Sequence, residues 1–145
     1  MLSNRKDIHV EWGDCDLAGI VYFPRFFEYF DACTNALFEA AGFRKAEMLK
    51  HYGLVGIPLV EASAQFHAPA SFGETVTVES QIVEWGTSSF RVEHRLYKGS
   101  VLGAEGREKR VWTVRDAQSP KGMRGEAIPA EVKARFALPS AGGAQ

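Results

Sequence analysis

Apolar positions along the chain change their period once. Between Ile20 and Gly42 they recur at helical spacing: Phe26, Phe27, Phe30, Leu37, Phe38 and Ala41 fall largely on one face, with Asn35 among them. Pro24 sits where the first turn of a helix tolerates a missing N–H, and Gly42 is placed to end it. The pattern predicts a helix of about 18 residues, apolar enough to be wrapped on several sides. A short second helix is expected from Lys45 to His51, ending at Gly53. Ahead of the long helix, Ile8–Trp12 (IHVEW) reads as a short strand that stops at the turn-rich run from Gly13 to Gly19. From Ile57 onward the period is two. Val60, Ala62, Ala64 and Phe66 alternate with polar residues, as do Val76, Val78 and Ile82, then Phe90, Val92, His94 and Leu96, then Arg110, Trp112 and Val114.

The segments between these runs, Pro69–Gly73, Gly86–Ser88 and the Gly99–Gly106 stretch, are too short for parallel crossovers. The expected fold class is therefore α+β: an antiparallel sheet of about five strands packed around one long helix. Such a sheet has two edges, and an exposed edge invites a second copy, so a homodimer is expected.

At 145 residues and 16.0 kDa, with 46% hydrophobic and 24% charged residues, one domain over 1–139 with a single core is the expectation. The small polar run at 140–145 reads as a frayed tail. No apolar stretch approaches the ~20 residues of a membrane span, the N-terminus lacks a signal-peptide centre, and two cysteines suit a reducing cytoplasm. A net charge of -1 argues against nucleic acid as a partner. The charge is uneven, however: residues 1–90 hold 6 basic and 12 acidic side chains (-6), and residues 91–145 hold 11 and 6 (+5). The basic half suits either a small polyphosphate ligand or a solvated strand surface.

The histidines His9, His51, His67 and His94 are scattered, and no cysteine has a ligand neighbour at metal-binding spacing, so no metal is expected. The glycine-rich nucleotide signatures and the serine elbow are absent, and no cofactor is expected. What remains is Gly13-Asp14-Cys15-Asp16, followed by Gly19 and the start of the long helix. A helix N-terminus offers unpaired N–H groups and a partial positive charge that would polarise an acyl carbonyl. A carboxylate just upstream could attack that carbon or deprotonate a water. Equally, Asp14 or Asp16 could only cap a turn. Cys15 fits a small buried hydrophobe. Asp31, in the middle of the apolar helix, either lies on its wet face or meets a polar ligand or a partner subunit. Glu61 poses the same choice on a strand, and an outward position suits it.

The run Cys15-Asp16-x-x-Gly19-Ile20-Val21-Tyr22-Phe23-Pro24 resembles the signature of the 4-hydroxybenzoyl-CoA thioesterases, hotdog-fold acyl-CoA hydrolases. Gly53–Pro58, Pro69–Gly73 and Glu84–Phe90 resemble later family segments in the same order, so the likeness spans about residues 8–136. It implies a sheet wrapped on a central helix, dimers with sites at the subunit interface, and pairing of dimers into tetramers. It also implies Asp16 as nucleophile or general base, and the Tyr22 and Phe23 backbone N–H groups as the carbonyl-polarising helix start. On the substrate side it implies Asp31 and the Pro58-Leu59-Val60 segment around the acyl group, Ser89 near the nucleotide of coenzyme A, and Arg110 as an assisting cation. Two departures bear on substrate. Phe23 stands where relatives acting on short aliphatic acyl-CoA carry His, which favours an aromatic acyl group. Gly86 and Thr87 stand where arginines precede Ser89 in the 4-hydroxybenzoyl branch. The competing expectations are a thioesterase for aliphatic acyl-CoA or acyl carrier protein, and a non-catalytic acyl-CoA binding module. A dehydratase of this fold is disfavoured, since no His is placed near Asp16.

Overall fold

Seven buried residues of α1 (Phe23–Ala40), namely Phe26, Tyr29, Phe30, Cys33, Thr34, Leu37 and Phe38, follow one another at alternating steps of three and one and make a continuous stripe. The structure, a computed structural model, describes residues 1–139; the 140–145 tail lies outside them. The stripe of α1 packs on a five-stranded antiparallel sheet built from β1 (Ser3–His9), β3 (Leu59–Phe66), β4 (Thr75–Trp85), β5 (Ser89–Lys98) and β6 (Val101–Val111), in the order β1-β4-β5-β6-β3. This is the hotdog arrangement that the resemblance implies. α2 (Lys45–Tyr52) ends at Gly53, whose φ of 64° is the left-handed cap expected of a glycine there. None of the described helices is long and apolar enough to cross a membrane.

Three features depart from the sequence pattern. The first strand starts earlier, at Ser3, and ends at His9, because Trp12–Asp14 form a 3₁₀ turn instead of continuing it. Most of the Gly99–Gly106 stretch is not a connector: only Gly99, with φ of 61°, and Ser100 make the turn, and β6 starts at Val101. Its Gly106 is steric. A Cβ on Gly106 would lie 2.5 Å from the Phe30 ring, so α1 reaches the sheet only because this position is bare. Finally, a small sheet of β2 (Leu54–Gly56), β7 (Thr113–Arg115) and β8 (Met123–Gly125), together with α3 (Ala130–Ala137), had no periodic signal long enough to read.

The core falls into two apolar clusters. One gathers Leu37, Phe38, Ile82, Phe90, Val92 and Trp112 with Val132 and Phe136 of α3; the other gathers Phe26, Phe30, Cys33, Val76, Val78, Leu96 and Ala104. Between them in sequence on each element lies a buried polar residue: Thr34 on α1, Ser80 on β4, His94 on β5 and Glu108 on β6. The Thr34 hydroxyl donates to Glu108 Oε1, His94 Nε2 lies 3.2 Å from the same oxygen, and Ser80 Oγ lies 2.7 Å from His94 Nδ1. The Phe30 ring stacks on the His94 imidazole at 5.0 Å. Arg110 closes the row, with Nε 3.1 Å from Glu108 Oε1 and Nη2 2.9 Å from Oε2. Burial alone would raise the Glu108 carboxyl, but the hydrogen bonds and charge of His94 and Arg110 outweigh it and hold it down at about 2.

Two outcomes are expected. Gly106→Ala forces a methyl group into the Phe30 ring, and overpacking of this kind costs about 1–3 kcal/mol, read as a lower urea midpoint. An unchanged midpoint would show that α1 can lift off β6 freely. The second concerns acid. A carboxyl whose pKa is depressed on folding contributes stability in full above its unfolded value, and that contribution is lost as pH falls through the folded one. For Glu108 the window runs from 4.5 down to about 2. Across that window wild-type unfolding free energy should fall more steeply than that of Glu108→Gln, as measured by denaturant titration at each pH.

Candidate active site

The turn before α1 is built by its own backbone. Cys15 and Val21 pair as an isolated antiparallel bridge, the Asp16 N–H donates to the Ile20 carbonyl at 2.9 Å, and the Gly19 N–H donates back to the Asp16 carbonyl at 3.0 Å. Gly19, at φ of 76°, supplies the left-handed residue that the reversal needs. Within this turn Asp16 is exposed. Its Oδ1 accepts the Ala18 N–H at 2.8 Å, and no described group engages Oδ2.

Spacing alone left Asp14 and Asp16 equivalent; their surroundings separate them. Asp14 Oδ2 accepts the Glu11 N–H at 3.1 Å and the Tyr29 hydroxyl at 2.8 Å, which ties the turn to α1. Burial, with the adjacent Asp14 carboxylate, pushes the Tyr29 phenol well above its ordinary value, so it stays a donor. The Cys15 thiol is likewise raised, by burial first and then by the charges of Asp14 and Asp16, and its Sγ lies 3.5 Å from the Glu11 carbonyl. A thiol held protonated in this way is a poor nucleophile.

The two backbone donors implied by the resemblance also differ. The Tyr22 N–H donates to the Asp14 carbonyl at 2.8 Å and is already satisfied. Pro24 has no N–H, and the Arg25 N–H is taken by the Tyr22 carbonyl at 2.8 Å. The Phe23 N–H, the first of α1, has no acceptor among the described residues. It is the group of the first turn free to meet a ligand.

A cavity of about 410 Å³ opens elsewhere, between α1, α2, β2 and the start of β3. Asp31, Pro58, Leu59 and Arg110 line it, with Asn35, Lys45, Met48 and Leu54. Arg110 Nη2 lies 2.8 Å from Asp31 Oδ1, and Nη1 donates to the Ile57 carbonyl at 3.1 Å. Arg110 is buried, whereas Asp31 is largely exposed at 59%, and no described group engages its second oxygen. Val60 is exposed on β3 and does not line this cavity; neither do Asp16, Tyr22 and Phe23. Phe23 and Asp31 are eight residues apart on one helix, about 12 Å along its axis. Ser89 forms a third locus, at the β4–β5 hairpin, where its carbonyl accepts the Gly86 N–H at 2.7 Å. The Gly86 carbonyl in turn accepts Lys133 Nζ of α3 at 3.0 Å, which brings a cation to the loop where Gly86 and Thr87 supply none.

One chain thus assembles Asp31, Pro58, Leu59 and Arg110; the Asp16 turn does not line that cavity, and neither does Ser89, although it pairs across the sheet with Val111, whose N–H donates to the Pro58 carbonyl. Sequence reasoning missed His94, Glu108 and Thr34 behind Arg110. The signal for the first two was the strand phase: His94 shares that of Val92 and Leu96, and Glu108 that of Arg110 and Trp112, so both point inward.

Known proteins resemble this geometry and sequence. The 4-hydroxybenzoyl-CoA thioesterase of Pseudomonas sp. strain CBS-3 is 33% identical over 128 residues, 84% of this chain and 89% of that one. Its solved structure superimposes with a TM-score of 0.83, at 29% identity over 92% of this chain and 98% of that one. A gentisyl-coenzyme A thioesterase of known structure matches with a TM-score of 0.79, at 32% identity over 93% of this chain and all of that one. The 1,4-dihydroxy-2-naphthoyl-CoA hydrolase of Synechococcus elongatus is 30% identical over 87 residues, 60% of this chain and 64% of that one. A family model of the Thioesterase-like superfamily matches residues 10–136, nearly the whole described chain, and the chain belongs to that superfamily.

Proposed function

We propose that this chain hydrolyses aromatic acyl-CoA thioesters to the free acid and coenzyme A, with Asp16 as nucleophile or general base. The observation that carries this reading is the exposed Asp16 carboxylate, one oxygen held and the other unengaged, on the turn that leads directly to an unpaired helix N–H at Phe23. A thioester is already activated, so hydrolysis needs little beyond a placed oxygen nucleophile and a donor for the oxyanion. The Phe23 N–H, backed by the helix dipole, supplies that donor. The Tyr22 N–H acts indirectly, by tying the turn through Asp14.

The relatives named above act on hydroxylated ring acids joined to coenzyme A, and this chain's cavity suits such a group. Met48, Leu54, Pro58 and Leu59 offer an apolar wall, and Asp31 offers an acceptor at the polar end. A ring hydroxyl would donate to the unengaged Asp31 oxygen, while Arg110 holds the other. Ser89, with Lys133 behind its hairpin, lies on the basic half of the chain and would face the nucleotide phosphates.

The separation of the Asp16 turn from the cavity within one chain supports a site completed by a second copy. Two sheet edges are available, and they differ. β1 carries Arg5, Lys6 and Asp7, the charges that guard an edge against pairing. β3 has one charge, Glu61, and leaves Leu59, Val60 and Phe66 exposed. We place the dimer contact at β3, a further pairing of dimers on top of it, and the protein in the cytoplasm, where its two free thiols stay reduced.

Two tests follow from this site. Asp16→Asn should keep the fold and the oligomer while kcat drops at least ~10²-fold on every acyl-CoA accepted. A thiol-release assay over benzoyl, hydroxybenzoyl, phenylacetyl and short aliphatic CoA esters reads both this loss and the preference for aromatic rings. Wild-type turnover in the variant would remove Asp16 from the chemistry, and release of no thiol by wild type would leave a binding module. For the interface, Val60→Lys should convert dimer to monomer in light scattering, and thiol release should fall with the fraction dissociated. A monomeric wild-type protein with full turnover would rule out a shared site.

A further inference from the structure

Arg110 is the point where the buried polar row reaches the cavity. Its guanidinium has five N–H groups in a rigid plane, and four of them are directed: two to Glu108, one to Asp31 and one to the Ile57 carbonyl. The two-point contact with Glu108 sets the plane, and the plane sets where Asp31 and Ile57 are held. Glu108 is itself fixed from behind by Thr34 and by His94, which leans on Ser80 and lies flat against Phe30. None of Thr34, Ser80, His94 and Glu108 lines the cavity.

We propose that Glu108 is a positioning residue for acyl-group selection, clamped by Thr34 and His94 so that Arg110 presents the Asp31 carboxylate to a hydroxyl on the far end of the acyl group. The inference rests on the reading of this cavity as the acyl pocket. Its physical ground is the cost of the row. Buried ion pairs bring no stability over apolar residues of similar volume, and this row interrupts two otherwise apolar clusters. Its return is direction. An Asp31 free to rotate on an exposed helix face would hydrogen-bond water as readily as a substrate hydroxyl, whereas one anchored by a fixed guanidinium keeps its free oxygen aimed into the cavity.

The discriminating measurement is the ratio of kcat/KM for 4-hydroxybenzoyl-CoA to that for benzoyl-CoA. In wild type the hydroxylated ester should be preferred at least about tenfold, the scale of a hydrogen bond to a charged group. Glu108→Gln, nearly the same shape but unable to hold the guanidinium at both oxygens, should erase about tenfold of that preference through KM for the hydroxylated ester. Its kcat on benzoyl-CoA should stay within about threefold of wild type. Thr34→Val removes one hydrogen bond and no charge, and should shift the ratio in the same direction by about threefold; it decides the matter if Glu108→Gln fails to fold. In an Asp31→Asn background, neither change should move the ratio further. An equal loss on both esters, or an unaltered ratio, makes the row structural only and overturns the inference while leaving the acyl pocket standing. A ratio insensitive to Asp31→Asn itself overturns the pocket reading, and the inference with it.

Discussion

The structure turns on how a single helix is seated on a sheet across a buried charge. α1 approaches β5 and β6 closely enough for Phe30 to lie against His94 and over the bare Gly106. That approach would bury the carboxylate of Glu108 beneath the helix with nothing to answer it, a burial worth several kcal/mol against folding. The answer comes from all sides at once: the Thr34 hydroxyl from above, His94 from the neighbouring strand, and Arg110 from two residues along the same strand. Because each group satisfies the next, the row specifies register. A one-residue slip of β6 would send Glu108 and Arg110 to the wet face and turn Lys109 inward.

The same seating explains why the chemistry divides. The N-terminus of α1 lies at the surface, where its Phe23 N–H meets no described acceptor, and the apolar stripe begins only at Phe26. Two turns on, the helix is over the sheet, and there it can wall a cavity with Asp31 and Asn35. A rigid helix cannot bring its first residue and its ninth to the same ligand atom. It can offer them to two ends of one ligand, or to two ligands across a two-fold axis. The second arrangement is the one that a copy paired at the exposed, weakly charged β3 edge beside Leu59, as proposed above, would give.

Much of this was legible in the chain. The span of α1 could be read from Pro24, its apolar spacing and Gly42, since helix ends are punctuated locally. The inner strands could be read from strict alternation, because a sheet with one buried face writes its period into the sequence. What escaped depended on contacts distant in sequence. Gly106 looks like a turn residue until Phe30 is seen to need the space. Asp14 and Asp16 look alike until Tyr29, on the next helix, takes one of them. β2, β7 and β8 are three residues each, shorter than any period can mark, and they are ordered by their mutual pairing. The Tyr22 N–H looked available because a helix start offers its N–H groups by default; a carbonyl eight residues upstream had claimed it.

The local arrangement also argues about which carboxylate can act. Four of the described carboxylates bear on the two halves of the proposed site. Glu108 is closed in by three donors, and no substrate atom could reach it without dismantling the core. Asp14 spends an oxygen on two donors that hold the turn's own shape. Asp31 is tethered to a guanidinium, which suits an acceptor for a hydroxyl but weakens it as a nucleophile, since the lone pairs are drawn toward a cation. Asp16 alone combines exposure, a single neutral N–H partner and a position one short turn from an unpaired helix donor. On the proposed reading, the two features needed for thioester attack, an available oxygen and an oxyanion donor, would come from one seven-residue reversal, Asp16 to Tyr22, and the first residue of the helix it feeds.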